Sequence, residues 1–259
     1  MKIVSWNVNG LRSVYKKESV YQKNDFFQWL KILNADIICF QEIKARQDQL
    51  PFDLINVHGC HFYLNSSERP GYGGVAVYTK QEPVSIEKKI GWQKFDSEGR
   101  LLILKYPKFV LLNLYIPHGG RGKENLDYKL EVYRVLINRL EDFEKKEIIL
   151  VGDFNVAREE IDLARPKDNQ NNIMFTLEER KSFGELIDSG FDDSFRKFNK
   201  KGGNYSWWPY FNNARERNIG WRIDYIFTSK KLTPKLKNAF ILKDVSGSDH
   251  CPVGVEMKI

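Results

Sequence analysis

Several carboxylates and amides stand where apolar runs of the chain end. The run Lys2–Val8 leads into Asn7, Asn9 and Gly10, and Ile37–Phe40 ends in Gln41, Glu42 and Lys44. Leu111–Ile116 is followed by Pro117, His118 and Gly119, and Ile148–Val151 by Gly152, Asp153 and Asn155. Near the end, Gly247–Ser248–Asp249–His250 precedes another apolar run. A buried strand that emerges into such a group delivers it to the sheet edge, where ligands of α/β proteins bind. Glu42, Asp153 and Asp249 would form a cluster of hard oxygens, with Asn7 or Asn9 adding neutral ones. That donor set suits Mg²⁺ or Mn²⁺ better than zinc. Taken singly, each residue reads better as a turn or cap than as a ligand. Their shared position argues for one site.

Other constellations point away from other chemistries. His58 and His61 have zinc-like spacing but no Cys or further His beside them, so they read as a strand-entry pair. No Walker loop or GxGxxG follows a strand, and Gly71, Gly73 and Gly74 read as a turn before Val75. There is no GxSxG, and Cys251 lies in an apolar setting, which disfavours a nucleophilic Ser or Cys. Residues 205–225 set Trp207, Trp208, Tyr210, Phe211 and Trp221 among Arg215, Arg217 and Arg222. Arginines contact phosphates, and flat side chains stack on bases or wedge between them. A Trp-rich core with surface arginines is the competing reading. Pro209 and two asparagines make a loop of this segment, and loops are where binding residues concentrate.

Two kinds of element must carry these groups. Strands are expected at Lys2–Val8, Ile37–Phe40, Gly74–Tyr78, Ile148–Val151, Ile223–Phe227 and Cys251–Met257, and a hairpin in residues 101–117 turns at Pro107 and Lys108. Helices are expected around Phe26–Leu33 (capped by Asn24 or Asp25), over 126–140, and after the Thr176/Glu179 capping box as far as Gly190. Runs such as IICF and IILV need cover on both faces, so stacked sheets in the middle with helices outside are predicted.

Composition sets the outer limits. The chain has 259 residues, 42% hydrophobic and 29% charged, enough for a sizeable core. No linker, repeat or low-complexity tract divides it, so residues 1–259 are expected to form one domain. No apolar run is long enough for a membrane span, and no signal-peptide pattern opens the chain. Three scattered cysteines fit buried thiols in a reducing compartment, with a cytoplasmic location expected, nucleoid-associated if the source is prokaryotic. A net charge of +7 with 17 Phe, 12 Tyr and 6 Trp suits a polyanion, or an ordinary basic enzyme.

SWNVNGLR, QEIK, NLYIPHG, GDFNVAREEIDLARP, GWRIDYIF and GSDHCP occur in this order along the chain. With these motifs the sequence resembles the exonuclease III family of class II apurinic/apyrimidinic endonucleases, from about Lys2 to Ile259. The resemblance implies a four-layer α/β sandwich, two mixed sheets face to face with helices outside. It implies a Mg²⁺-dependent DNA-repair nuclease that cuts 5′ to abasic sites, with 3′→5′ exonuclease and 3′-end-cleaning activity. Mn²⁺ is a possible substitute, and the partner is duplex DNA bearing abasic sites or 3′ ends, met by a monomer.

By position, the resemblance makes Glu42 a metal ligand with Asn7 and Asn9 near the ion and Asp249 on its second side. Asp153 would activate the water, and Asn155 would place it or the phosphate. His250, held by Asp224, would contact the phosphate, and Tyr115 the phosphate or the leaving group. Trp207, Trp221 and Ile223 match the pocket for a flipped sugar, and Arg121 and Phe211 match positions inserted around the lesion. Together with Arg215, Arg217 and Arg222, Arg121 is expected on the DNA face. His118 departs from the Asn or Gln often found there, Asn9 from the Asp of some relatives, and Trp207 from a smaller Phe. A phosphoesterase of the same scaffold with another substrate, and a nucleic-acid binder without catalysis, are the alternatives.

Overall fold

The computed structural model describes residues 1–143 and 146–259. In chain order its strands are β1 (Lys2–Asn7), β2 (Ile37–Gln41), β3 (His61–Asn65), β4 (Val75–Thr79), β5 (Ser85–Glu87) and β6 (Leu101–Lys105). They continue with β7 (Val110–Tyr115), β8 (Ile148–Asp153), β9 (Phe191–Asp193), β10 (Asp224–Ser229), β11 (Leu236–Ile241) and β12 (Val253–Met257). One sheet has the order β11-β12-β1-β2-β4-β3 and the other β5-β6-β7-β8-β10-β9. β1 with β2 and β7 with β8 are parallel, and the remaining neighbours run antiparallel. This is the expected pair of mixed sheets.

Three apolar layers follow from the two-residue period of the strands. Ile3, Ile37, Cys39 and Val77 from one sheet meet Leu102, Leu111, Ile149, Val151 and Ile226 from the other. The alternate residues Val4, Trp6, Ile38 and Phe40 face outward onto Phe26 and Trp29. On the far side Leu112, Leu114 and Leu150 pack on Val132, Tyr133, Leu136 and Phe183. The helices Phe26–Leu33, Leu126–Glu141 and Leu177–Asp188 therefore lie outside the sandwich. Asp25 caps the first by accepting the Gln28 N–H at 2.9 Å. Thr176 and Glu179 make the expected reciprocal box at the start of the third.

The same period makes one end of the inter-sheet space polar. Following the inner rows, Ile3 gives way to Ser5 and Asn7, Cys39 to Gln41, Leu111 to Asn113 and Tyr115, and Val151 to Asp153. Register then sets Asn7 beside Gln41, and Asp153 between Tyr115 and Asp224. Gln41 Nε2 donates to Ser5 Oγ (2.9 Å) and, across the sheets, to Asn113 Oδ1 (2.7 Å). Asn113 Nδ2 returns two hydrogen bonds to the carbonyls of Phe40 and Ala76. These bonds fix the vertical offset of the sheets directly beneath the polar end.

Candidate active site

Asp153 is the hub. Gly152 before it has φ 143°, and a Cβ there would lie 1.9 Å from the Leu114 carbonyl oxygen, so only glycine lets β7 and β8 run close enough. Asp153 is buried and accepts from Asn7 Nδ2 (2.8 Å) through Oδ2 and from the Asn155 N–H (2.8 Å) through Oδ1. Asn155, at φ 53°, donates its side-chain amide to the Ile116 carbonyl (2.8 Å). Asp224 Oδ2 meets His250 Nδ1 at 2.9 Å, and His250 Nε2 lies 3.9 Å from Asp153 Oδ2.

The electrostatics of this array are set by burial and by its unequal charge count. Burial and the neighbouring Asp224 push the Asp153 carboxyl up to about 7, against the pull of His250 and the Asn7 hydrogen bond. Burial opposes the charged form of His250, but Asp224, by charge and hydrogen bond, raises its pKa to about 10. His250 is therefore an imidazolium at neutral pH. Tyr115 is pushed well above its ordinary value by burial and by Glu42, so it keeps its proton, with Arg100 held 4.5 Å over its ring.

A second group of oxygens adjoins the first. Asn9 donates its N–H to Asn7 Oδ1 (3.0 Å) and its amide to Asp249 Oδ1 (3.0 Å). Lys44 Nζ bridges Asn9 Oδ1 at 2.5 Å and Glu42 Oε1 at 2.8 Å. Asn9, Glu42 and Lys44 all have left-handed backbones, with φ of 45°, 58° and 55°. Non-glycine residues hold such values when the surroundings over-determine them, and such residues cluster at functional sites. The ammonium already bridging Glu42 and Asn9 shows a cation seated among these oxygens, so the donor set fits a hard divalent metal. Among the described residues, ligand atoms of Asp153, Asp224 and His250 also lie within 4.8 Å of one another. His250 Nδ1 is already committed to Asp224 there, which favours the Glu42 side as the metal position.

Beside this array opens a cleft of about 690 Å³ lined by Trp207, Trp221, Met174, Phe211, Arg121 and Asp249, among others. The two tryptophans stand nearly perpendicular, 6.5 Å apart, and Trp207 Nε1 donates to Asp249 Oδ2 at 3.0 Å. Asp249 is held below the usual carboxylate range: burial opposes ionisation, but the His250 charge and the Asn9 and Trp207 donors prevail. Phe211 is 63% exposed at the cleft, and Arg121 is exposed too.

The sequence model of the endonuclease/exonuclease/phosphatase family matches residues 4–250. The chain belongs to this family. It is 43% identical over 261 residues to an exodeoxyribonuclease of Bacillus subtilis, covering 100% of both chains. It is 39% identical to the DNA repair nuclease APEX1 of Danio rerio, over 98% of this chain and 81% of that one. Among solved structures, an AP endonuclease from Archaeoglobus fulgidus superposes with a TM-score of 0.88 at 27% identity, covering both chains fully. A 3′ phosphatase from Neisseria bound to a product DNA hairpin gives 0.89 at 27%, also over 100% of both.

Within this endonuclease/exonuclease/phosphatase scaffold the structure corrects several expectations. Arg222 is not on a DNA face: it is 1% exposed, with Nε on Asp162 Oδ1 (2.8 Å) and Nη2 on Asp193 Oδ2 (2.7 Å). Two carboxylates outweigh solvent for a guanidinium buried beside Tyr225. Arg215 is half-buried over Trp208 and spends its donors on the carbonyls of Ser248, Lys243 and Val245. It staples the loop that carries Asp249 and His250. Arg217 and Arg121 remain exposed. Ile223 is buried in the apolar cluster with Trp221 that backs the cleft, not on its lining. Cys39 and Cys251 are buried free thiols, whereas Cys60 is only half-buried. Arg100, Lys129 and the bridging role of Lys44 are not legible in the sequence, because a lysine or arginine that serves a site looks there like any surface cation.

Proposed function

We propose that this protein is a Mg²⁺-dependent DNA-repair nuclease that hydrolyses the phosphodiester 5′ to abasic sites in duplex DNA and also trims and cleans 3′ ends. The observation that carries this reading is the buried Asp224–His250–Asp153 array opening beside a cleft walled by Trp207 and Trp221. The names of the relatives, an exodeoxyribonuclease and a DNA repair nuclease, support it. We read residues 1–259 as one catalytic domain, since the inter-sheet core draws on both sheets. No described helix is long and apolar enough to cross a membrane, and a cytoplasmic location fits a DNA substrate.

The chain's own groups divide the chemistry. Asp153, with a pKa near 7, is basic enough at neutral pH to take a proton from an attacking water. The Asn155 amide, anchored on Ile116, steadies that carboxylate and the water beside it. The His250 imidazolium presents Nε2 to the phosphate oxygens, and Asp224 holds its other nitrogen. Tyr115, kept protonated, donates to the phosphate or to the departing 3′ oxygen. Glu42 and Asp249, with Asn7 and Asn9, would hold the metal. When bound, Mg²⁺ supplies positive charge to the developing oxyanion and the leaving oxygen.

The cleft supplies selectivity. Trp207 and Trp221 form rigid apolar walls that suit a sugar without its base, and a lesion lowers the unstacking cost of flipping. Phe211 and Arg121 stand at the cleft to fill the gap left in the duplex. An abasic-site duplex is incubated with the protein and Mg²⁺ or Mn²⁺, then with a chelator, beside undamaged, 3′-blocked and non-nucleic phosphoester substrates. Incision 5′ to the lesion that stops on chelation is expected. Chelator-resistant incision, or preference for a non-nucleic phosphoester, overturns the reading.

A further inference from the structure

Three loops of the site converge on one buried ammonium. Lys129, on the helix Leu126–Glu141, is 0% exposed. Its Nζ donates to the carbonyls of His118 (3.3 Å) and Asn155 (2.6 Å) and to Glu179 Oε1 (2.5 Å). Glu179 is equally buried, and it accepts the N–H of Met174 (3.0 Å) at Oε1 and that of Thr176 (3.0 Å) at Oε2. The Met174 carbonyl in turn accepts the Ala157 N–H at 2.8 Å. One ion pair thus joins the loop after β7, the loop after β8 and the segment that forms the Met174 wall of the cleft.

Stability alone does not account for this pair. Burying two charges costs more than their attraction returns unless further hydrogen bonds are made, and an apolar pair of similar volume is often as stable. The two helices it links already touch through Tyr133 and Phe183, at 5.9 Å between rings. What an ammonium adds is three directed N–H groups, all of them used. The bond to the Asn155 carbonyl acts on a residue held at φ 53°, a conformation that relaxes when its supports are removed. The Asn155 N–H also lies on Asp153 Oδ1, so a change in the φ and ψ of Asn155 is passed to the carboxylate.

We propose that Lys129 and Glu179 are a positioning pair: through the carbonyls of Asn155 and His118 and the N–H of Met174, they set the catalytic loops and the cleft wall in mutual register. This rests on the nuclease reading for its substrate, but not for its structural readout. Lys129→Met, Glu179→Gln and the double variant are compared with the wild type. Each single change leaves an unpaired buried partner and lowers Tm; the double variant, without net buried charge, recovers a Tm close to wild type. Its kcat on abasic duplex falls about 10- to 100-fold, the scale of a misplaced catalytic group, and KM changes less than kcat because neither substituted side chain reaches the DNA. Hydrogen exchange, followed by mass spectrometry, speeds up in 116–121, 153–157 and 172–176 while β1, β7 and β8 keep their protection.

Wild-type kcat in the double variant overturns the proposal, as does a loss of kcat that tracks Tm through all three variants. If the double variant does not fold, Lys129→Arg, which keeps the charge but displaces its donors, takes its place with the same two outcomes. If the wild type cleaves no abasic duplex, the nuclease reading fails. Exchange then decides the positioning: unchanged loops refute it, and loosening confined to the three loops upholds it.

Discussion

Replacing Asp224 by Asn tests the array at its support, because the change keeps size and a hydrogen-bond acceptor but removes the charge. With Asp224 the His250 pKa is raised to about 10 from the ordinary 6.5. At pH 8 a group with the raised value is almost wholly protonated, and one at the ordinary value about 3% so, roughly a thirtyfold loss of imidazolium. At pH 6 the two differ by less than about twofold. The deficit in kcat at pH 8 should therefore exceed the deficit at pH 6 by at least about tenfold, on top of any constant loss of ring orientation. Removing the charge also relieves Asp153, whose acid limb moves down from near 7. Both effects carry the pH optimum toward acid. Single-turnover cleavage of abasic duplex from pH 5.5 to 10, at saturating metal, measures this directly. A deficit of equal size at every pH, or an alkaline limb unmoved from the wild type, would refute the electrostatic role of Asp224.

The raised His250 pKa also contributes stability, full below about 6.5 and lost as pH climbs through about 10; urea titrations should show a smaller loss over this range for Asp224→Asn than for wild type. Arg222→Ala leaves Asp193 Oδ2 without its guanidinium and Asp162 with Arg196 alone, and should cost about 3–5 kcal/mol in denaturant unfolding, while its folded fraction keeps the wild-type salt dependence of DNA binding. Arg121→Ala should weaken binding and reduce the slope of log K against log salt by about 1, as measured by fluorescence anisotropy; an unchanged slope would remove Arg121 from the phosphate face. Phe211→Ala should cost about 1–3 kcal/mol in binding abasic duplex and less on undamaged duplex; equal losses would exclude a wedge at the lesion.

The sequence made the two sheets and the ends of their central strands readable because those strands are buried on both faces. Runs such as IICF and IILV are continuous, so the first polar residue after each marks where the core stops. The Pro107–Lys108 turn was readable for the same reason, with β6 and β7 on either side of it. Edge strands β3, β5, β9 and β11 were not, since they mix exposed polar residues with apolar ones. Charges were the hardest to read. Arg222 and Arg121 look alike until the carboxylates opposite them are known, and Asp162 lies 60 residues from Arg222 along the chain. Lys129 and Glu179 similarly pass for the wet face of amphipathic helices. Their burial is a property of the packed helices and the loops beneath them.

The pairing of β1 with β12 has a consequence for how the protein comes into being. Asn7 and Asn9 are made long before Ser248, Asp249 and His250, which enter just ahead of the strand that joins β1 to β11. Until β12 is synthesised, β1 presents an open edge and its apolar rows lack a neighbour. Contacts so distant in sequence form slowly. A ribosome-bound fragment that stops short of Ser248 would therefore hold Asn7, Asn9 and Glu42 but neither Asp249 nor the imidazole that meets Asp224, so the array that the proposed cleavage needs is incomplete until β12 has docked.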